Sequence, residues 1–295
     1  MTDIVWLASY PKSGNTWLRI LIGSLLAAAD TEVDINELPE WGRMAGARLP
    51  FDNTLLIDSG LLSHDEIDCL RPHLYEELAR GEPLEERSAP PARFSKVHDA
   101  YGLTPLGEPL LAGARGAKGA IVIVRDPRDV APSLANHNRT SVDEAIAFLN
   151  DTDAALCRTA DRLHVQLRQK VAGWSGHVAS WLEQRDIPVH LVRYEDLQRD
   201  TAGVLIAAMA FAGVPVTPDD VARAVAQGDF QRLQAQEREA GFSEWQDRDG
   251  KGRLFFRRGE AGGWRDELSP EQVARLETAH APMMRRLGYE LSRGA

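Results

Sequence analysis

The sequence predicts an α/β fold in which a central parallel sheet is flanked by helices. Three short apolar runs, at residues 4–8, 121–124 and 189–192, are typical of strands buried on both faces. Each run is followed along the chain by a segment with the pattern of a helix. Strands that alternate with helices in this way form parallel sheets covered on both sides.

Turn residues and apolar spacing place the individual elements. Residues 94–97 form a further candidate strand, which ends at His98. Asp126-Pro127 marks the start of a helix, because proline suits the first helical position. The helices expected along the chain begin near Trp17 and cover residues 64–80, 128–136, 201–212 and 270–289.

The 295 residues allow one or two domains, and two segments fall outside the regular alternation. Residues 30–91 are rich in acidic residues and leucine, and we interpret them as an insertion that forms a subsite. Residues 231–258 carry many charges and a flexible sequence with two glycines at 249–252. This composition is typical of a mobile flap.

Composition and charge exclude several classes of protein. The net charge of −10 repels polyanions, so we expect no nucleic-acid partner. Cys69 and Cys157 lie far apart in unrelated surroundings, so we expect neither a disulfide framework nor a zinc site, and we expect a cytoplasmic location. The longest apolar run, residues 20–29, is shorter than the roughly 20 residues of a membrane span. Residues 1–3 lack the basic start of a secretory signal.

Polar side chains stand at four predicted strand ends: Lys12, His98, Arg125 and Tyr194. Open parallel sheets bind ligands beyond these ends, because helix N-termini and loop amides point there. The loop 10–17, Tyr-Pro-Lys-Ser-Gly-Asn-Thr-Trp, has a glycine and hydroxyl groups beside a helix start, so its amides could hold a phosphate. The alternative is an ordinary strand-to-helix turn with an exposed lysine.

This loop differs from the Walker A motif, Gly-x-x-x-x-Gly-Lys-[Ser/Thr]. Lys12 precedes Gly14 rather than following it, and the motif's first glycine has no counterpart. The hydroxyl that ligates magnesium in Walker A loops is therefore not expected here. We predict a phosphate site without a metal, which counts against ordinary ATP chemistry.

Four segments, in order along the chain, resemble motifs of the sulfotransferases that use 3′-phosphoadenosine 5′-phosphosulfate (PAPS). Residues 10–17 resemble the 5′-phosphosulfate loop, with Asn15 where threonine is frequent. Arg125 and Ser133 look like the 3′-phosphate clamp. Residues 194–197, Tyr-Glu-Asp-Leu, match a recurring tetrapeptide, and residues 256–264 resemble the late Arg-Lys-Gly-x-x-Gly-Asp-Trp segment. This resemblance implies a P-loop NTPase-like three-layer fold and a single domain over residues 1–295, with 30–91 as an acceptor subsite.

The resemblance also implies a role for each matched residue. Lys12 would stabilise the leaving oxygen, His98 would be the general base, and Lys96 would neutralise sulfuryl oxygens. The implied contacts to the 5′-phosphate are Ser13, Gly14, Asn15 and Thr16; those to the 3′-phosphate are Arg125, Ser133, Arg257, Arg258 and Gly259; those to adenine are Trp17, Tyr194 and Phe230. Each of these functional roles has a structural alternative. The aromatic residues could simply pack in the core, and residues 257–258 could be a solvated basic run. The charged residues at 125–129 could pair with one another, and we expect such pairing of Arg128.

The predicted activity is transfer of a sulfuryl group from PAPS to a hydroxyl of a small-molecule or natural-product acceptor. Two alternatives remain open. A kinase on the same architecture would need ATP and magnesium, which the loop does not favour. A non-catalytic module that binds adenosine bisphosphates would not need Lys96 and His98. The dimerisation signature of many soluble relatives is not matched near residues 265–274, so no oligomeric state is predicted.

Overall fold

The computed structural model describes residues 3–38, 44–81, 92–159, 163–245 and 250–292. The strands are β1 Ile4–Ser9, β2 Arg93–Val97, β3 Gly119–Val124, β4 Ala155–Leu156, β5 Gln169–Lys170 and β6 Val189–Arg193. The helices are α1 Asn15–Leu26, α2 Arg48–Leu55, α3 His64–Arg80, α4 Pro127–Asn138, α5 Val142–Asn150, α6 Gly173–Glu183, α7 Tyr194–Arg199, α8 Thr201–Ala212, α9 Pro218–Gln227, α10 Phe230–Ala240 and α11 Pro270–Arg286.

Four strands form a parallel sheet in the order β2-β1-β3-β6, which confirms the predicted fold class. β1 and β3 lie in the centre, and all of their residues are buried. The register pairs Ala8 with Val97, Ser9 with Ile123, and Val124 with Arg193. The segments that follow the four strands therefore leave the sheet at the same edge.

Two apolar layers cover the sheet. Alternate residues of β1 point to opposite faces, so Trp6 packs in one core and Leu7 in the other. The Trp6 core contains residues of α4, α5, α6 and α11, whereas the Leu7 core contains residues of α1, α8 and α9. This is a three-layer arrangement of helix, sheet and helix. Within the described ranges, no helix is both long and apolar enough to span a membrane.

The helices α3 and α8 have the predicted bounds, and α1, α4 and α11 differ from prediction at their ends. α1 begins at Asn15, directly after Gly14. α11 ends at Arg286, because Gly288 has a left-handed φ of 77°. Part of the insertion at 30–91 and residue 249 of the glycine-containing sequence lie outside the described residues.

The segment 231–258 begins as a regular helix, which the prediction of a flap did not include. α10 buries Leu233, and the buried carboxylate of Glu237 accepts hydrogen bonds from the backbone N–H groups of Phe255 and Phe256 at 2.6 and 2.9 Å. The charge-rich sequence hides this contact because, in sequence, the buried Glu237 looks like the exposed Glu239 beside it. The mobility of 231–258 stays a prediction.

Candidate active site

A cavity of about 790 Å³ lies at the carboxyl edge of the sheet. Every predicted site residue except Ser13 lines it, so the strand ends meet in one place as expected. Ser13 is fully buried behind the loop, and its hydroxyl has no hydrogen-bond partner. Among the residues that the structure describes, no cluster of three or more potential metal ligands is found.

The loop before α1 leaves the helix N-terminus open toward the cavity. Gly14 has a φ of 102°, and a Cβ there would lie 2.6 Å from the ring of Tyr194, so only glycine fits. No side chain caps α1, which leaves its first N–H groups available to an anion. The amide of Asn15 instead ties the loop to β1, donating to the backbone oxygen of Leu7 at 2.8 Å. Asn15 can therefore serve an anion only through its backbone.

Lys12 extends from this loop into the cavity wall. Its ammonium lies 3.5 Å from the centroid of the Phe255 ring. Burial lowers the pKa of Lys12 well below its usual value, and the nearby charges of Lys96 and Arg125 add to this effect. A bound anion would relieve the mutual repulsion of these cations and favour the charged form of the lysine.

Arg125 is a second charged group that lines the cavity. It follows β3, and its guanidinium lies 4.3 Å from the centroid of the Tyr194 ring. It donates to the backbone oxygens of Lys12 at 3.4 Å and Glu260 at 2.8 Å, and its Nε is buried without a partner. Ser133 lies about two turns along α4 and lines the same cavity.

The other charges of this segment have structural roles. Arg128 is buried and pairs with Asp126 and Glu277, both at 2.6 Å, which confirms the expectation that it forms ion pairs. The carboxylate of Asp129 accepts hydrogen bonds from the backbone N–H groups of Gly262 at 2.6 Å and Trp264 at 2.9 Å. Asp129 thereby holds residues 256–264, the late basic segment, against α4. The sequence did not reveal this role.

The late basic segment closes over the start of α10. Gly259 has a φ of 67°, and a Cβ there would lie 2.3 Å from the ring of Phe230, so this contact requires glycine. Arg257 and Arg258 both pair with Glu267, with Arg258 at 3.2 Å. The two arginines line the cavity, but a phosphate would have to compete with this carboxylate for them.

The three predicted adenine contacts form part of the cavity wall. The rings of Trp17 and Tyr194 meet edge to face, with centroids 5.7 Å apart. The indole N–H of Trp17 donates to the backbone oxygen of Gly228 at 2.8 Å, which fixes the orientation of its ring. Phe230 lies beneath Gly259 and is half-buried. A planar base could pack against these apolar surfaces.

His98 is buried at the end of β2 and lines the cavity. Its Nδ1 lies 2.7 Å from the backbone oxygen of Ser9, which only accepts, so Nδ1 carries the proton and Nε2 keeps a lone pair. Burial lowers the pKa of His98 well below 6.5, and the adjacent charge of Lys96 adds to this effect. A neutral imidazole with a fixed tautomer can accept a proton.

Among the cavity-lining residues that sequence reasoning missed are Arg19, His137, Glu244 and Phe255. Arg19 lies on α1 one turn after Asn15, and this spacing from the loop was the available signal. Burial lowers the pKa of His137 to about 3. Glu244 lies among many acids in a charged segment, so no pattern distinguishes it.

Comparison with known proteins identifies the family and the fold of the chain. A family model described as the sulfotransferase domain matches residues 114–288, more than half of the chain. Luciferin sulfotransferase from Photinus pyralis is 28% identical over 69% of this chain and 49% of its own length. Cytosolic sulfotransferase 16 of Arabidopsis thaliana is 23% identical over 94% of this chain and 74% of its own. The crystal structure of retinol dehydratase with retinol and PAP has a TM-score of 0.59 at 20% identity and covers 99% of this chain and 83% of that one, which shows a shared fold.

The chain therefore belongs to the sulfotransferase family and is an enzyme of that family. Sulfotransferases use PAPS as their co-substrate, and PAP, 3′-phosphoadenosine 5′-phosphate, is the form without the sulfuryl group.

Proposed function

We propose that this protein transfers the sulfuryl group of PAPS to a hydroxyl of a small-molecule acceptor. One observation carries the proposal: a single cavity is lined by the loop before α1 and by basic and hydroxyl side chains that follow β3, with aromatic side chains beside them. The uncapped N-terminus of α1 with Lys12 suits the 5′-phosphosulfate, and Arg125 with Ser133 suits the 3′-phosphate. The unpartnered Nε of Arg125, a residue that lines the cavity, is consistent with a ligand contact.

The residues at the centre of the cavity supply the chemistry. The acceptor oxygen forms a bond to sulfur while the bond between sulfur and the bridging phosphate oxygen breaks, with the three atoms in line. The acceptor proton passes to Nε2 of His98. Lys12 stabilises the electron pair that stays on the phosphate oxygen, and Lys96 neutralises the sulfuryl oxygens.

Transfer is tested with PAPS labelled with ³⁵S in the sulfuryl group. Luciferin and retinol are the first acceptors to test, because they appear in the names of similar proteins, followed by other hydroxylated natural products. We expect labelled product from at least one hydroxylated acceptor, without added metal. If the protein binds PAP but transfers no label to any acceptor in a broad panel, the result would favour the non-catalytic binding module.

The kinase alternative is tested by thermal shift, with PAP in EDTA and, in separate samples without EDTA, with ATP and magnesium. A ligand that binds only the folded state raises the melting temperature, so PAP should stabilise the protein without metal. Stabilisation only by ATP together with magnesium would support the kinase.

The proposal also includes a cytoplasmic location, an acceptor subsite at residues 30–91 and a mobile flap at residues 231–258. The name of the Arabidopsis relative, a cytosolic sulfotransferase, supports the location.

A further inference from the structure

Glu244 lies between two cations in the wall of the cavity. Its carboxylate is 2.8 Å from Nη1 of Arg19 and 3.4 Å from Nζ of Lys96. The side chain of Arg19 is 5% exposed and that of Lys96 is 13% exposed, whereas Glu244 is 33% exposed. The acid thus reaches from the cavity surface to a cation that the proposed function assigns to the sulfuryl group.

The backbone around Glu244 is held in place. The N–H of Ser243 donates to the side-chain oxygen of Asn36 at 2.6 Å. The indole of Trp245 donates to the backbone oxygen of His137 at 3.1 Å, and its ring stacks on the His137 ring. These contacts fix Glu244 from both sides along the chain. Its carboxylate can shift by side-chain rotation while the neighbouring backbone stays anchored by these contacts.

A sulfuryl group and Glu244 would compete for Lys96. Both are anionic, and the ammonium of Lys96 is a single point charge. Lys96 must turn from the carboxylate to contact sulfuryl oxygens, and its ion pair with Glu244 is lost when it does. PAP has no sulfuryl group, so Lys96 keeps its partner when PAP binds. The penalty therefore applies to PAPS alone.

We propose that Glu244 is a positioning residue that lowers the affinity for PAPS relative to PAP by holding Lys96. This inference rests on the proposed function, because it takes the site to bind both nucleotides. Glu244 keeps Lys96 beside His98 and opposes the accumulation of a tightly bound, unreacted donor. Arg19 keeps the carboxylate in place while Lys96 changes partner.

The test is calorimetric titration of wild-type and Glu244→Gln protein with PAP and with PAPS. Glutamine keeps an oxygen for Arg19 but loses the charge, so PAPS should bind about tenfold more tightly, equivalent to ~1.4 kcal/mol. The affinity for PAP should change less than about twofold, because PAP does not displace Lys96. A gain that is equal for both nucleotides, or no gain for PAPS, would overturn the proposal.

Two further variants separate this effect from general electrostatics. Glu260→Gln removes a carboxylate 3.7 Å from Arg258, at the end of the site that PAP and PAPS share, so it should change both affinities equally. In Lys96→Met protein, adding Glu244→Gln should no longer raise PAPS affinity more than PAP affinity. A selective gain in that double variant would contradict the role of Lys96. Wild-type protein that binds neither nucleotide would overturn the proposed function itself.

Discussion

Replacing His98 by glutamine tests the proposed base directly. The hydrogen bond to Ser9 and the low pKa of the buried imidazole keep Nε2 free to accept a proton at neutral pH. General base catalysis contributes about 10² to 10⁴ in rate, so we expect kcat to fall by at least about 100-fold. PAP affinity should change by less than about threefold, because no nucleotide contact is removed. Initial rates with ³⁵S-labelled PAPS and calorimetry with PAP give the two values.

The pH profile and a matched variant complete this test. Because the pKa of His98 is well below 6.5, the base is already neutral at pH 6.5, and kcat/KM should not decline until the pH is well below that value. His190→Gln is the control, since His190 stacks on Phe211 outside the cavity and should retain wild-type rates. A His98→Gln enzyme with kcat within about fivefold of wild type would refute the assignment.

Two further predictions concern the late segment and acid stability. Asp129→Ala removes an acceptor of two backbone hydrogen bonds, so the free energy of unfolding should fall by about 2–4 kcal/mol, measured by urea titration. Affinity for PAP, measured by calorimetry, should fall by at least about tenfold. Unchanged PAP affinity would count against a role for Asp129 in holding residues 256–264 at the site. Burial lowers the pKa of His177 to about 3 and of His280 to about 4, so the unfolded chain binds protons below pH 6.5 that the native state does not. Stability should therefore fall from pH 7 to 5.5 by about 1.2 kcal/mol for each histidine, and a flat urea midpoint would contradict this.

The sheet and several helices could be predicted because their signals are local. Continuous β-branched runs give β3, and a capping box at Ser63 and Glu66 starts α3 where expected. No strong pattern marks α6, whose start depends on Ala172 and Gly173 in left-handed conformations. α10 was hidden for a different reason, since its helical face is stabilised by tertiary contacts of Leu233 and Glu237.

The site residues also divide into those with a local sequence signal and those without one. Residues beside strand ends, such as Lys12 and Arg125, were predictable because parallel strands bring their carboxyl ends together. Glu244 was not, because it reaches the cavity from a segment more than 100 residues away in sequence from Lys96. Asp129 was also hidden, since its partners are backbone N–H groups that no side-chain pattern reveals.

A crystal structure with bound PAP is the most direct test of how this site is used. We predict the 5′-phosphate at the N-terminus of α1 beside Lys12, and the 3′-phosphate against Arg125 and Ser133, with the base next to Trp17 and Tyr194. A nucleotide that reaches only one of the two basic ends, or that binds outside the cavity, would contradict the account.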